Sequence, residues 1–169
     1  MAARMANPTV YFLLGAQGAG KTTWAAAHAA RLSAVILASD EIRNELEALG
    51  TDATSENERV FALLEARLGV LLAQGKNVLV DATHARRSWR EKEVAIARAH
   101  GAQTVAIWFD VPLAVCLQRN ARKPGTQRWG ERIVSPEFLR AVYLSLEPPT
   151  RAEFDEIRVI GGENPQHWF

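Results

Sequence analysis

The chain has 169 residues, of which 48% are hydrophobic and 23% are charged, and its formal net charge is +1 at pH 7. This composition is typical of a globular protein and excludes a disordered or membrane-embedded one. Because the net charge is small, attraction to a polyanion would need local clusters of basic residues. The single cysteine, Cys116, excludes an internal disulfide.

The length fits one domain with a proper hydrophobic core, and we expect that domain to span residues 1–169. The segment before Pro8 lacks the apolar run of a secretory signal, and the first apolar stretch is too short to cross a bilayer. We therefore expect a cytoplasmic protein without a membrane partner. The sequence leaves its oligomeric state open.

The first three predicted elements are a strand, a glycine-rich loop and a helix. The apolar run Thr9–Leu14 predicts a buried strand, and the alanine-rich residues 22–31 predict a helix. Between them, G-A-Q-G-A-G-K-T has the G-x-x-x-x-G-K-[ST] spacing of a P-loop, whose backbone N–H groups converge on phosphate at a helix N-terminus. The alternative is a glycine-rich turn that binds nothing, and the type of both flanking elements argues against it.

This motif predicts how a nucleoside triphosphate binds. Lys21 can reach the β- and γ-phosphates, and the Thr22 hydroxyl can ligate Mg²⁺. We therefore predict ATP and Mg²⁺ as cofactors. The predicted nucleotide-binding residues of the loop are Gly15, Ala16, Gln17, Gly18, Ala19, Gly20, Lys21, Thr22 and Thr23.

The second predicted strand, residues 34–37, leads to the first catalytic candidate. Ser39 is the predicted N-cap of the next helix, and Asp40 follows the carboxyl end of the strand, which faces the ligand crevice in an open parallel sheet. Asp40 is therefore the predicted general base for an acceptor hydroxyl and a candidate Mg²⁺ ligand. The alternative is a first-turn acid that complements the helix dipole. Arg43, on the same helix face, can hold an anionic group of the acceptor.

A second acid is predicted at the end of the third strand. Residues 55–58 read as a capping box, and an amphipathic helix with a leucine-rich stripe follows and ends at Gly75. Residues 77–80 predict a strand that runs into Asp81, where a Walker-B carboxylate supports Mg²⁺. The alternative is that Asp81 or Thr83 caps the next segment.

The next helix, residues 86–100, is rich in charge, which is typical of a solvated face. Arg86 and Arg87 lie in its first turn, near the crevice.

A fourth strand over 103–109 and a helix over 113–119 follow. The basic segment 119–134 contains a Pro-Gly pair and is predicted to be a mobile lid. Ser135 caps a further helix, and residues 156–160 predict a last strand.

Strands that alternate with helices after a P-loop predict an α/β fold of three layers, with a parallel sheet of about five strands and helices on both faces. Arginines of the lid can close over the transferring phosphoryl group, and the candidates are Arg119 and Arg122, together with Lys123 and Arg128. The sequence lacks the Asn-Lys-x-Asp pattern of a GTPase, which argues against GTPase switching. From its length we expect no added motor or oligomerisation domain, so a mechanical ATPase is not expected either.

Four segments together resemble the 5′-hydroxyl polynucleotide kinase family of P-loop phosphotransferases, to which zeta-toxin-like kinases are related. They are G-A-Q-G-A-G-K-T at 15–22, S-D-E-I-R at 39–43, V-L-V-D-A-T at 78–83 and R-N-A-R-K at 119–123. The resemblance extends to about residue 154. The P-loop by itself indicates only the superfamily. The pairing of Asp40 with Arg43 considerably narrows the choice of family within that superfamily.

The resemblance implies residue roles. The acid that matches Asp40 is the general base on the acceptor 5′-hydroxyl, and the arginine that matches Arg43 contacts a phosphate of the acceptor strand. The lid arginines that match Arg119 and Arg122 grip the ATP phosphates. The sequence departs from the family at His84, where members often have asparagine.

Three hypotheses about function stay open: two kinases that differ in their acceptor, and a protein without enzymatic activity. The leading hypothesis is a kinase that transfers the γ-phosphate to a 5′-hydroxyl of DNA or RNA, supported by Arg43, Arg86, Arg87, Arg90 and by Trp129, which can stack on a base or pack under the lid. Related kinases phosphorylate small molecules such as sugars and antibiotics, and a module that binds ATP without transfer is the third reading. Fold geometry also predicts adenine contacts from the helix next to the lid and from the loop over residues 161–165.

Overall fold

The computed structural model describes residues 7–161. Five parallel strands form one sheet in the order β2-β3-β1-β4-β5. Their bounds are Thr9–Leu14 (β1), Ala34–Ala38 (β2), Asn77–Asp81 (β3), Gln103–Asp110 (β4) and Glu156–Gly161 (β5). The predicted α/β fold with a five-stranded parallel sheet is confirmed. Residues 162–165 of the predicted adenine-contacting loop lie outside the described residues.

Six helices are formed by the described residues. Their bounds are Lys21–His28 (α1), Ser39–Ala48 (α2), Asn57–Ala73 (α3), Arg87–Ala99 (α4), Leu113–Ala121 (α5) and Pro136–Leu144 (α6). None of them is long and apolar enough to cross a membrane. Helix α1 ends three residues before the predicted position, because the chain turns back to β2 through Ser33, which has a left-handed φ of 49°.

The central strand β1 divides the core into two layers. Phe12, like Val10 and Leu14, packs with Ile42 of α2 and Leu64 of α3. Leu13, like Tyr11, faces the opposite side, where the core includes Leu139 of α6. Because successive side chains of a strand point to opposite faces, an apolar run buries both faces of β1 under helices.

Two predicted helix starts are wrong. Ser39 is the first residue of α2 rather than its cap, and α3 begins at Asn57 without a side-chain cap. The Ser55 hydroxyl donates to the Asp52 carbonyl over 3.2 Å. The hydroxyl is therefore used in the loop and does not form the predicted capping box.

The predicted solvated face of α4 is also wrong at two positions. Arg90 is 1% exposed and Glu93 is fully buried. Arg90 forms an ion pair with Glu153, in the segment between α6 and β5, over 2.8 Å. Arg90 therefore stabilises the fold and is not free to follow a phosphate backbone.

The register of the sheet brings the predicted site residues to one edge. Asp81 is the pairing partner of Leu13 in β1 and of Ala38 in β2. The P-loop begins two residues after Leu13, and Asp40 lies two residues after Ala38. Because the three strands are parallel, these positions lie at the same edge of the sheet as Asp81. The sheet therefore collects the loop and both acids at its carboxyl edge.

Candidate active site

The glycines of the P-loop allow its backbone to turn between β1 and α1. Gly18 and Gly20 have φ values of 79° and 101°, in the left-handed region that favours glycine. A Cβ atom on Gly18 would lie 2.4 Å from the carbonyl oxygen of Cys116 in α5. The loop is thus packed against α5, and any side chain at Gly18 would push these two elements apart.

The Lys21 ammonium lies over the loop. Its Nζ donates to the carbonyl oxygens of Gly15 over 2.8 Å and of Ala16 over 2.9 Å. Burial lowers the pKa of Lys21, and the negative charges of Asp81 and Asp40 partly oppose this effect. The ammonium is therefore held between loop carbonyls and two carboxylates, where a triphosphate could be bound.

Two predicted Mg²⁺ ligands contact each other directly. The Thr22 hydroxyl donates to Oδ2 of Asp81 over 2.7 Å. A hydroxyl and a carboxylate are hard oxygen ligands of the kind that Mg²⁺ takes alongside phosphate oxygens and water. The residues present therefore fit the ion. Among residues 7–161, no group of three or more His, Cys, Asp or Glu side chains could hold a metal by itself, so the phosphates would need to complete the site.

Asp40 lies beneath the lid and close to the P-loop charges. A Cβ atom on Gly130 of the lid would lie 3.6 Å from Oδ2 of Asp40. Burial and the charge of Asp81 raise the pKa of Asp40, while Arg43 and Lys21 act in the opposite direction. The carboxyl group is therefore in an environment that favours accepting a proton, as a general base must.

Arg43 is held by the protein on several sides. Its Nη1 donates to the Ala53 carbonyl over 3.1 Å, and its Nη2 donates to Oδ1 of Asn57 over 2.6 Å. The guanidinium also lies 4.8 Å from the ring centroid of Trp129. Arg43 therefore connects α2 to the start of α3 and to the lid, and its predicted contact with the acceptor stays a prediction.

Trp129 packs under the lid. The guanidinium groups of Arg43 and Arg132 lie 4.8 Å and 4.1 Å from its ring centroid, and its Nε1 donates to Glu47 over 2.8 Å. Of the two predicted roles, packing under the lid describes this arrangement. Arg132 also forms an ion pair with Glu47 over 2.9 Å, so the lid is attached to α2.

The basic residues at the start of the lid differ in their surroundings. Arg119 donates from Nη1 to the Ala19 carbonyl of the P-loop over 3.2 Å. Arg122 is exposed, and its side chain forms no hydrogen bond or ion pair with the part of the chain that the structure describes. Lys123 is half-buried, and burial lowers its pKa while the charge of Asp40 raises it. The site therefore contains Arg119 and Lys123, whereas Arg122 faces solvent.

His84 lies behind the candidate site, where it contacts the end of β1, although the sequence suggested no such role. It is 3% exposed, and its ring nitrogens contact the Leu13 carbonyl over 2.9 Å and Glu93 over 2.6 Å. Its burial removes it from contact with an acceptor. No spacing in the sequence indicates these contacts, because they join residues 9 and 71 positions apart.

Solved structures share this fold. A provisionally assigned kinase of Chloroflexus aurantiacus j-10-fl has a TM-score of 0.73 and 17% identity, over 91% of this chain and 88% of that one. A gluconokinase from Sinorhizobium meliloti 1021 has a TM-score of 0.61 and 20% identity, over 94% of this chain and 85% of its own. A chain of the Pnkp1/Rnl/Hen1 RNA repair complex has a TM-score of 0.69 and 22% identity, over 86% of this chain and 46% of its own, about half its length.

At these identities the structural likeness establishes the fold alone, which is that of P-loop kinases. No curated protein matches the sequence. The family model AAA_33, described as an AAA domain, matches residues 10–142. That range includes the P-loop, both predicted acids and the lid, and the chain therefore belongs to the AAA domain family AAA_33.

Proposed function

We propose that the protein is an ATP- and Mg²⁺-dependent phosphotransferase that moves the γ-phosphate of ATP to an acceptor hydroxyl. The observation that carries this proposal is the position of Asp40. Its carboxyl group lies against Gly130 of the lid, and the charges of Lys21 and Asp81 act on it. A carboxyl group that lies near the phosphate loop and in contact with the lid is suited to activating an alcohol.

The donor side would be held by the P-loop and α5. The loop amides and Lys21 bind the phosphates, and Arg119, which contacts the Ala19 carbonyl over 3.2 Å, adds positive charge beside them. Thr22 and Asp81 would hold Mg²⁺, which would neutralise negative charge that develops on the phosphates.

Asp40 would carry the acceptor chemistry. Its carboxylate takes the proton of the acceptor hydroxyl while that oxygen forms a bond to the γ-phosphorus. The bond between the γ-phosphorus and the β,γ-bridging oxygen breaks, and ADP leaves with the electron pair. Lys123 lies near enough for its charge to act on Asp40, and it offsets part of the negative charge at this point.

The leading acceptor is a 5′-hydroxyl end of DNA or RNA. The pairing of Asp40 with Arg43 supports it, and so do Arg86 and Arg87, which are exposed at the same edge of the sheet as Asp81. The fold is shared with a chain of an RNA repair complex.

A small-molecule alcohol is the second acceptor, and the lid favours it. Trp129 and Arg132 hold the lid to Glu47 of α2, and Arg128 forms a further ion pair with Glu41 over 2.6 Å. The ring of Trp129 is covered by Arg43 and Arg132, so it is not available to stack on a base in this arrangement. A small hydroxyl compound needs less space under such a lid, and a gluconokinase shares the fold.

The test is transfer of labelled γ-phosphate from ATP. A 5′-hydroxyl oligonucleotide and a panel of small alcohols are offered separately to the wild type, to Asp40→Asn and to Asp52→Asn. Asp52 is a matched control because it is an exposed loop acid that binds Thr54. We expect label on the oligonucleotide, a loss on the order of 10²–10⁴-fold in Asp40→Asn and no loss in Asp52→Asn.

Each other outcome has a definite meaning. Label on a small alcohol alone would replace the leading acceptor with the second one. Near-normal transfer by Asp40→Asn would remove Asp40 as the base. ATP binding without transfer to any acceptor would leave a nucleotide-binding module and would overturn the proposed activity.

A further inference from the structure

The root of the P-loop is attached to the segment that follows β3. The Gly15 amide donates to the Thr83 carbonyl over 3.2 Å, and the next residue, His84, contacts the Leu13 carbonyl through Nδ1 over 2.9 Å. These two contacts bracket the point where β1 ends and the loop begins. His84 is therefore placed to determine how the loop leaves the sheet.

His84 is held on all sides by other groups. Its Nε2 lies 2.6 Å from Oε2 of Glu93, and both side chains are 1% exposed. Its carbonyl accepts a hydrogen bond from Nη1 of Arg90 over 3.0 Å. Its φ is 49°, a left-handed conformation that is unfavourable for a residue with a side chain. Such a conformation persists only where the surroundings enforce it, and it is often found at functional sites.

The contacts of His84 determine how many protons are held by the pair of side chains His84 and Glu93. The Leu13 carbonyl only accepts, so Nδ1 must carry a hydrogen, and the close contact between Nε2 and Glu93 needs a further hydrogen between the two atoms. Without it, a lone pair of the imidazole would face a carboxylate oxygen in a buried place. The pair thus holds one proton more than a neutral histidine beside an ionised glutamate.

The surroundings of the pair favour that proton. Burial by itself lowers the pKa of His84, but the charge of Glu93 and hydrogen bonds to Glu93 and Leu13 outweigh it, so the pKa is raised. Arg90 on α4 opposes the charged ring, and its own guanidinium is paired with Glu153. Oε1 of Glu93 is buried and has no hydrogen-bond partner among residues 7–161, so this carboxyl group depends on His84.

We propose that His84 and Glu93 are positioning residues for nucleotide binding, which share one buried proton and thereby hold the root of the P-loop through Leu13. This inference rests on the proposed function, because it takes the loop as the triphosphate site. When the proton is lost, the contact between His84 and Glu93 becomes repulsive, and the ring no longer fixes the Leu13 carbonyl. The loop amides then lose their alignment, and nucleotide affinity falls.

The direction of the pH effect follows from the raised pKa of His84. The folded-state pKa lies above the unfolded value of about 6.5, so the stabilisation is fully present below about pH 6.5 and is lost as the pH rises through the folded-state pKa. Nucleotide affinity should therefore weaken on the alkaline side, by about tenfold for a coupling of ordinary size.

The experiment measures the affinity for AMPPNP with Mg²⁺ between about pH 6 and about pH 9 by calorimetry. In Glu93→Gln the amide attracts the imidazolium less, so we expect the fall in affinity to move by about one pH unit or more to lower pH. At the acid end the variant should match the wild type. The matched control is Glu91→Gln, an exposed carboxylate on the same helix, which should keep the wild-type profile.

An unchanged pH profile in Glu93→Gln would overturn the proposal. A folded variant that binds weakly at every pH would also overturn it, because a protonated His84 can still donate to both partners. If Glu93→Gln does not fold, the ring resonances of wild-type His84 decide by NMR. Their midpoint should lie above about pH 6.5 and rise further with saturating AMPPNP, because binding and protonation are linked.

A midpoint at or below about pH 6.5, or one that AMPPNP does not move, contradicts the shared proton as a determinant of affinity. A wild type that binds no AMPPNP at any pH would overturn the proposed function instead. In that case the midpoint of His84 measured without nucleotide still tests whether the proton is shared.

Discussion

Burial and neighbouring charges shift the pKa values of three ionisable side chains at the candidate site. Burial raises the pKa of Asp40 and lowers the pKa values of Lys21 and Lys123, so burial favours the neutral form of all three. Asp81 raises the pKa of Asp40 further, whereas both lysines act against that rise. Burial and Asp81 therefore favour protonation of the proposed base, and three cations oppose it, of which Arg43 acts most strongly and the two lysines follow.

Lys123→Met tests this balance. Removing the positive charge near Asp40 should raise the pKa of the carboxyl group further. It should also remove a cation that stabilises the phosphoryl group during transfer, so we expect turnover to fall by about 10²-fold. ATP affinity should change little, because we propose Lys21 and Arg119, and not Lys123, as the residues that hold the phosphates. The assay is steady-state phosphate transfer, with Lys92→Met as the control, because Lys92 is exposed on α4. An unaltered turnover would show that Lys123 is not part of the reacting site.

Single residues differ in how far the sequence reveals them. Lys21 and Thr22 follow from the spacing of one local motif, and Asp40 and Asp81 follow from the rule that strand ends meet in the crevice. The contacts of His84 do not follow from the sequence, because they depend on long-range packing. Lys123 is predicted only as one of several lid cations, and its effect on Asp40 also depends on long-range packing. A charged helix face gives no local sign that Arg90 is buried, since the ion pair with Glu153 joins residues 63 positions apart.

At the scale of elements, the P-loop is clamped between two neighbours. On one side Gly18 lies under the Cys116 carbonyl of α5, and on the other Gly15 is bonded to Thr83 after β3. Helix α5 also contributes Arg119, whose Nη1 contacts the Ala19 carbonyl. The helix that leads into the lid therefore packs directly on the phosphate loop.

Gly18→Ala should disrupt this packing. The added Cβ would lie 2.4 Å from the Cys116 carbonyl oxygen, and the φ of 79° is unfavourable for alanine. The control is Gly50→Ala, which has a similar φ of 84° but no atom within 4 Å of the new Cβ. The control should lose about 1–2 kcal/mol of unfolding free energy from backbone strain alone.

Gly18→Ala should lose more than the control in urea unfolding, and its affinity for AMPPNP should also fall, because the loop must move away from α5. The Gly50→Ala protein should bind AMPPNP normally, since its turn lies outside the site. Equal losses of stability in the two variants, with normal nucleotide affinity in Gly18→Ala, would contradict the role of this close packing.

The elements themselves were largely predictable, whereas their ends were less so. Apolar runs bounded by turns identify four of the five strands, because buried parallel strands are apolar on both faces. Strand β5, at the edge of the sheet, contains Glu156 and Arg158 and gives a weaker signal. The predicted caps at Ser39 and Ser55 are wrong because a hydroxyl near a helix start can join the helix or bond within the preceding loop. At Ser135 the hydroxyl does accept from the Phe138 amide, and the predicted cap is confirmed.

At the scale of the whole molecule, the segment between α6 and β5 is joined through Arg90 of α4 to His84, which contacts the end of β1 before the P-loop. Glu153 binds Arg90 of α4 through both carboxylate oxygens, over 2.8 and 3.1 Å. Arg90 also donates to the carbonyls of Glu147 and His84 over 3.0 Å each. One buried guanidinium thus joins the chain beyond α6 to the segment that holds the P-loop.

Glu153→Ala should therefore destabilise the whole fold. It leaves Arg90 buried without its partner, and breaking a buried pair in this way costs about 3–5 kcal/mol of unfolding free energy. The control is Glu156→Ala, whose partner Arg158 is about half exposed, and it should cost less than about 1 kcal/mol. Urea unfolding of the three proteins at neutral pH measures the difference, and a loss in Glu153→Ala no larger than in the control would contradict the prediction.

The same pair predicts how stability depends on pH. Burial tends to raise the pKa of Glu153, but hydrogen bonds and the charge of Arg90 outweigh it, so the folded-state pKa is lowered. A lowered pKa gives stabilisation that is present above the unfolded value of about 4.3 and is lost as the pH falls through the folded-state value. The stability gap between wild type and Glu153→Ala should therefore narrow in acid. A gap that stayed constant down to about pH 2 would mean that the carboxylate charge contributes nothing, and that Arg90 is held by its backbone acceptors alone.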